Sequence, residues 1–388
     1  MKLEPRPMID RQEVITLLSD LVRIPSVNPR ISGGAGEEEI ARYLAERLRA
    51  LGLTPTVIEV HPRRPNVLVT LRGKSGGPHL LFEAHTDTVS PSHGQHEPFT
   101  PRLEGDRLYG RGSCDTKASV AAMFLALAST LARQERPASV TVAFTMGEEL
   151  GHDGAKHLMA SGFRADGAVI GEPTGLDVVA AHKGAVRWKM VTRGRSAHSS
   201  NPEKGCNAIV KMASVIHALE ERLLPQLGER RHPLLGPATL CVGRIEGGLQ
   251  VNIVPDLCTI DLDWRILPGE TWEGARRALE AALAPALAED PDLQLTIEEP
   301  YQAFAGMETP PDAPIVRLAQ EAVRRIDGEH PVRGVAYGTD AAEFSATGLP
   351  CIVLGPGSIE QAHTSSEYVE IQQVVKAAAI YREMMQAS

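Results

Sequence analysis

The chain changes its periodicity along its length. Residues 10–24 and 37–51 place apolar side chains at helical spacing, and Gly52 is a natural stop for the second run. Extended apolar runs follow at Thr56–Val60, Asn66–Leu71 and His79–Ala84, with Pro62–Pro65 read as a turn. Asp115–Ala132 reads as a helix with Asp115 near its start, and Val140–Thr145 and Ala168–Ile170 read as buried strands. This alternation predicts an α/β domain whose sheet lies between helices and is mixed rather than purely parallel.

Near Lys183 the order becomes β-α-β-β-α-β: a strand at 185–192, a helix at Asn207–Leu224, strands at Ala238–Ile245 and Asp256–Arg265, a helix at Thr271–Ala288 and a strand at Leu293–Glu298. That is the order of a ferredoxin-like α+β module. Its third strand alternates cleanly. Cys258, Ile260, Leu262 and Trp264 share one face, and Thr259, Asp261, Asp263 and Arg265 share the other, so one side is buried and one is wet. After Pro300 the α/β pattern returns, with a helix at Asp312–Ile326, a short strand at Cys351–Leu354 and a closing helix at Ile371–Met385. The expected architecture is a discontinuous α/β/α domain, 1–182 and 299–388, interrupted by an inserted domain, 183–298.

Composition narrows the function. With 388 residues, two domains are the prior, and 43% hydrophobic and 23% charged residues are those of a soluble globular chain. A formal net charge of -9 without a basic patch argues against a nucleic-acid partner. No apolar run is long enough to span a bilayer, and the first residues carry no apolar signal core, so a cytoplasmic protein is expected. The five cysteines, Cys114, Cys206, Cys241, Cys258 and Cys351, are odd in number and scattered, as expected of reduced thiols. Cys114 reads as a small buried residue.

The chemistry sits where apolar runs end. His85 follows LLFEA, and Asp87 two residues on lies on the same side, able to receive the second ring N–H of a metal-bound imidazole. Asp115 follows a glycine-rich stretch. Alone it would be a helix cap, but with His85 upstream and Glu148 and Glu149 downstream a bridging carboxylate is the better reading. Glu148 and Glu149 follow VTVAFTM; adjacent side chains diverge, so one can bind a metal while the other acts as a general base. Glu172 follows AVIG, and His363 lies in a glycine-rich loop after the strand at 351. Imidazole and carboxylate together suit zinc, cobalt or manganese better than magnesium or calcium, and the lack of thiolates reads as catalytic rather than structural. In the inserted domain, His198 and Arg265 have bland readings as a surface histidine and a sheet-face ion-pair partner.

Taken together, His85-Thr86-Asp87, GRGSCDTK, Met146-Gly147-Glu148-Glu149, Gly171-Glu172-Pro173-Thr174 and Ala362-His363-Thr364 resemble the M20 family of metallopeptidases and amidohydrolases, over essentially the whole chain. The loop GPGSIEQAH followed by SSEYVE is most similar to the acetylornithine deacetylases and their relatives, which include succinyl-diaminopimelate desuccinylases. One departure is Ala118, where the family usually has glycine. The resemblance implies two divalent ions, one on His85, Asp115 and Glu172 and the other on Asp115, Glu149 and His363. It implies Asp87 as the partner of His85, Glu148 as the base acting on a metal-bridging water, and a cis peptide bond after Asp115. It implies that the inserted domain is a lid and homodimer contact, that His198 stabilises the oxyanion, and that Arg265 and Asn252 recognise a substrate carboxylate. The expected activity is hydrolysis of a small N-acyl-L-amino acid. The alternatives are a dipeptidase or carboxypeptidase on the same scaffold, or a metal-bearing binding protein without turnover.

Overall fold

The computed structural model describes residues 9–74, 76–131 and 138–387; the expected helix end at Ala132 lies outside them. The chain forms two compact units. One comprises Met1–Ala180, Glu308–Arg333 and Thr339–Ser388, and the other Ala181–Met307 and Gly334–Gly338.

The first unit is built on a mixed sheet. Four strands are parallel at its centre: Ser139–Thr145, His79–His85, Gly167–Ile170 and Cys351–Val353. Arg64–Leu71 and then Thr56–His61 add antiparallel to one side, and Val178–His182 adds antiparallel to the other. The central strands are buried on both faces, which explains their near-continuous apolar runs. Because all four run the same way, their carboxyl ends share one edge. His85 lies in register opposite Thr145, and the residues after Thr145, Ile170 and Val353 emerge beside it.

Helix Lys117–Leu131 is apolar and buried almost all round, as a helix covered by other elements must be. It shares a hydrophobic core with helices Arg11–Arg23 and Ile371–Met385. Ala118 is fully buried in it, so the methyl group that departs from the family pattern is accommodated. Helix Glu38–Ala50 stops where expected, with Gly52 at φ 78°. The turn after Thr56–His61 is shorter than expected: only residues 62 and 63 leave the strands, with Arg63 at φ 62°. The apolar period missed Val178–His182, helix Asp153–Ala160 and a small sheet of Arg102–Glu104, Arg107–Tyr109 and Tyr368–Glu370.

The second unit has the order β-α-β-β-α-β. Strands Thr239–Gly247, Leu257–Ile266, Gly184–Arg193 and Gln294–Ile297 lie side by side in that spatial order, all antiparallel, which is ferredoxin-like topology. The unit runs on past Glu298 because Gln302–Phe304 also pairs with Gly184–Arg193. Cys258, Ile260, Leu262 and Trp264 are buried, and Thr259, Asp261, Asp263 and Arg265 are half-buried. Trp188 and Trp264 meet edge to face at 6.1 Å beneath the helices. The first helix of this unit extends beyond the expected end at Leu224. Ala208–Ala218 passes through a π segment, Leu219–Leu223, into Leu224–Glu229. Pro225 therefore falls at the start of a new helical segment, where a missing N–H is tolerated.

Candidate metal centre

At the shared strand edge, His85 ends its strand with its ring buried. Its Nδ1 lies 3.0 Å from the Asp87 carbonyl oxygen and 3.4 Å from the Asp87 carboxylate. A proton on Nδ1 satisfies that acceptor and leaves the Nε2 lone pair facing the cluster. Nε2 is 3.1 Å from Asp115 Oδ1, 3.5 Å from Glu172 Oε1 and 4.0 Å from Glu148 Oε2. On the other side, His363 Nε2 is 3.3 Å from Asp115 Oδ2 and 3.2 Å from Glu149 Oε2. The two oxygens of Asp115 thus face two different imidazoles. The peptide bond from Asp115 to Thr116 is cis.

Asp87 is more than the partner of His85. Its Oδ1 accepts the backbone N–H groups of Gly147 at 2.9 Å and Glu148 at 3.0 Å. Its Oδ2 accepts Glu149 N–H at 3.2 Å and the Asn28 side-chain amide at 2.8 Å. The loop can turn this tightly because Gly147 adopts φ 80°, a conformation costly for other residues. Burial disfavours the Asp87 anion, but the hydrogen bonds from His85, Asn28 and the loop outweigh it and hold its pKa below the usual carboxylate range.

The remaining acids are crowded. Burial and the neighbouring carboxylates push Glu148 and Glu172 well above their ordinary pKa, and Glu149 up to about 7. Hydrogen bonds to Asp115 and Glu149 raise His363 to about 10. Burial opposes a charge on His85, yet Glu172, Asp115 and Asp87 together raise its pKa. A cluster whose buried carboxyls hold protons, and whose imidazoles are charged despite burial, is one a cation would relieve.

The donors fit such a cation. Ligand atoms of His85, Asp115 and Glu149 lie within 4.8 Å of one another, as do those of His85, Glu148 and Glu172. Proximity therefore groups Glu148 with His85 and Glu172, beyond the implied donor sets. Tetrahedral ligands about 2.1 Å from zinc stand roughly 3.4 Å apart, close to the 3.1–3.5 Å between the imidazole nitrogens and the carboxylates here.

His198, Asn252 and Arg265 lie in the second unit. His198 is exposed, with Nδ1 2.7 Å from Ser200 Oγ, and its segment pairs with that of Asn252, whose carbonyl accepts Ser199 N–H at 3.1 Å. Arg265 Nε is 2.8 Å from Asp263 Oδ1 on the same sheet face. Cys114 is buried, and burial followed by the charges of Glu367 and Asp115 pushes its thiol well up, consistent with a packing role.

Several residues around the site were not found from sequence. Asn28 holds Asp87, and Lys117, fully buried, donates to the Ile24 carbonyl at 2.7 Å. Burial lowers the Lys117 pKa to about 7. Glu83 and Asp340 are buried acids beside the Thr145 hydroxyl, which donates to Glu83 and lies 3.5 Å from Asp340. His152, at φ 58°, lies 3.3 Å from Glu343 and 4.0 Å from Glu148. Glu83 had a signal, a lone acid inside an apolar strand; the others carry none within their own segment.

An α/β fold with two histidines and several acids converging at the carboxyl edge of a mixed sheet defines a metal-site protein of hydrolase type. The family model for peptidase family M20/M25/M40 matches residues 81–387, and the chain belongs to that family. It is 34% identical over 366 residues to an acetylornithine deacetylase of Proteus mirabilis, covering 92% of each chain, and 33% identical over 318 residues to one of Myxococcus xanthus, covering 81% of each. Among solved structures it is similar to aminopeptidase PepT from Bacillus cereus, with a TM-score of 0.80 and 25% identity over 98% of this chain and 99% of that one.

Proposed function

We propose that the protein hydrolyses the amide bond of a small N-acyl-L-amino acid in a di-metal site. The observation that carries this reading is the placement of Asp115, with one carboxylate oxygen toward His85 and the other toward His363, beside a Glu148 that is only 13% exposed. His85, Asp115 and Glu172 would hold one divalent ion, and Asp115, Glu149 and His363 the other. Zinc suits these donors best, with cobalt or manganese able to replace it. When bound, such ions supply Lewis acidity toward an acyl oxygen and toward water.

The rest of the mechanism belongs to the chain. Glu148 takes a proton from the attacking water and returns it to the leaving amine. Its backbone N–H is tied to Asp87, while its carboxylate lies 4.0 Å from the rings of both His85 and His152, beyond hydrogen-bond reach, so the side chain can face the reacting water. His198 would stabilise the developing oxyanion, and Arg265 and Asn252 would hold the substrate carboxylate. Residues 183–298 serve as a lid and homodimer contact. The exposure of Leu249 at 88% and Val251 at 101% supports a covered surface on that unit. The free cysteines support a reducing, cytoplasmic setting. Among the described residues no helix is long and apolar enough to cross a membrane.

The identity to acetylornithine deacetylases favours an acyl amino acid as substrate; the likeness to an aminopeptidase favours the dipeptidase alternative. The deciding experiment is amine release by metal-stripped protein reloaded with zinc, cobalt or manganese. The panel holds N-acetylornithine, N-acetylcitrulline, N-succinyl-diaminopimelate, N-acetylmethionine and several dipeptides. Metal-dependent turnover of an acyl amino acid is expected. Turnover of dipeptides alone moves the protein to the peptidase branch, and silence with two ions bound overturns the enzymatic reading.

A further inference from the structure

One buried ion pair ties together two segments of the cluster that are far apart in sequence. Arg111 and Glu367 are both about 1% exposed, and their side chains meet at 2.5 Å. Glu367 Oε2 also accepts Gly112 N–H at 3.0 Å, and its Oε1 accepts the N–H groups of Cys114 at 3.0 Å and Asp115 at 3.1 Å. This one carboxylate therefore holds the backbone that presents Asp115. The other arm of Arg111 turns toward His363. Its Nη2 donates to Ser92 Oγ at 3.0 Å, Gln95 Oε1 at 3.2 Å and the Thr364 carbonyl at 3.3 Å. Ser92 Oγ in turn donates to the carbonyl of His363 itself at 3.0 Å.

His363 needs this support. Its side chain is 52% exposed, it sits in a loop, and its backbone is at φ 60°. His85 has no such need, since it ends a central buried strand and is hydrogen-bonded to Asp87. We propose that Arg111, Glu367 and Ser92 form a positioning device that selectively sets the affinity of the ion held by Asp115, Glu149 and His363. The inference rests on the two-ion reading. The device touches two of the three donors on that side but only one, Asp115, on the side of His85 and Glu172. Loosening it should leave a protein that keeps its first ion and holds the second weakly.

Glutamine cannot replace Glu367, because both carboxylate oxygens accept and an amide NH₂ would face N–H donors. Lysine cannot replace Arg111, because one ammonium cannot serve Glu367 and the Ser92–Gln95–Thr364 group together. The test titrates Zn²⁺ alone into the metal-free full chain by calorimetry with a chelator competitor. Bound zinc is counted after dialysis, and thermal melting is recorded for each metal-free variant. Glu367→Gln and Arg111→Lys are expected to weaken the second ion by about 10–100-fold and to leave the first within about threefold. Ser92→Ala, which removes only a half-exposed hydroxyl, is expected to weaken the second ion by about 3–10-fold with unchanged melting, and it carries the test if the buried variants fold poorly. Equal weakening of both ions, or no change in either, overturns the selective role. A wild-type protein that binds a single ion overturns the two-ion reading and this inference with it.

Discussion

Asp87 Oδ1 accepts the backbone N–H of Glu148 at 3.0 Å while lying 3.4 Å from the ring of His85. One atom thus couples the orientation of a proposed metal ligand to the start of the loop that carries the proposed base. Asp87→Asn should therefore do more than weaken a histidine contact. The amide would present its NH₂ either to the Gly147 and Glu148 N–H groups or to those of Glu149 and Asn28, and donors would face donors on one side. We expect zinc affinity to fall by about 10–100-fold, with a loss of kcat beyond what added zinc restores. Full recovery of kcat at saturating zinc would show that the loop does not depend on Asp87.

Zinc uptake should release protons. Without an ion, burial and then the charge of Asp115 hold Glu149 at about 7, and hydrogen bonds to Asp115 and Glu149 hold His363 at about 10. At pH 6 both groups carry a proton that a metal must displace; at pH 8 Glu149 has lost its own. Apparent affinity should therefore rise from pH 6 to pH 8, by about tenfold per pH unit for each proton displaced. Calorimetry in buffers of different ionisation enthalpy reads the proton count directly. A heat that does not depend on the buffer would contradict the crowding.

What the sequence made legible was what chain geometry makes local. His85, Glu148, Glu149 and Glu172 were identifiable because each follows an apolar run, and parallel strands deliver such residues to one edge. The wet and dry faces of Leu257–Ile266 followed from period two. The pairing of Asp87 with His85 was legible, but the hold of Asp87 on the Gly147–Glu149 loop and the role of Glu367 were not. Their partners are backbone N–H groups, which every residue carries, at separations of about 60 and about 250 residues along the chain. The helix running to Glu229 was hidden for another reason: Pro225 reads as a break, and only the π segment before it lets the chain continue.

A second buried ion pair should matter for stability. Arg64 donates through Nε and Nη2 to both oxygens of Glu37, at 2.7 and 2.6 Å, and neither side chain is more than 7% exposed. Burial raises the Glu37 pKa even with the guanidinium beside it, so the intact pair contributes little net stability. Removing one partner leaves the other charge buried alone. Glu37→Ala should cost roughly 3–5 kcal/mol in denaturant unfolding, and a Glu37→Met, Arg64→Met double substitution clearly less. Equal costs for the single and double variants would mean that packing, not charge, dominates at this site.

Glu148 is the sharpest test of the catalytic reading. It lies 4.0 Å from both His85 and His152, and burial with neighbouring negative charge raises its pKa, so it accepts a proton readily once the cluster is neutralised. Glu148→Gln keeps the shape and removes the basic oxygen. The fold should persist, because the hydrogen bond that ties this residue into the loop comes from its backbone N–H to Asp87 and not from its side chain. We expect two zinc ions bound with affinities within about threefold of wild type, since Glu148 lies outside the implied donor sets, and turnover lowered by about 10²–10⁴-fold. If Glu148→Gln instead binds one ion fewer, the proximity of Glu148 to His85 and Glu172 reflects a ligand and the base must be sought elsewhere. If it turns over at the wild-type rate, Glu148 is neither.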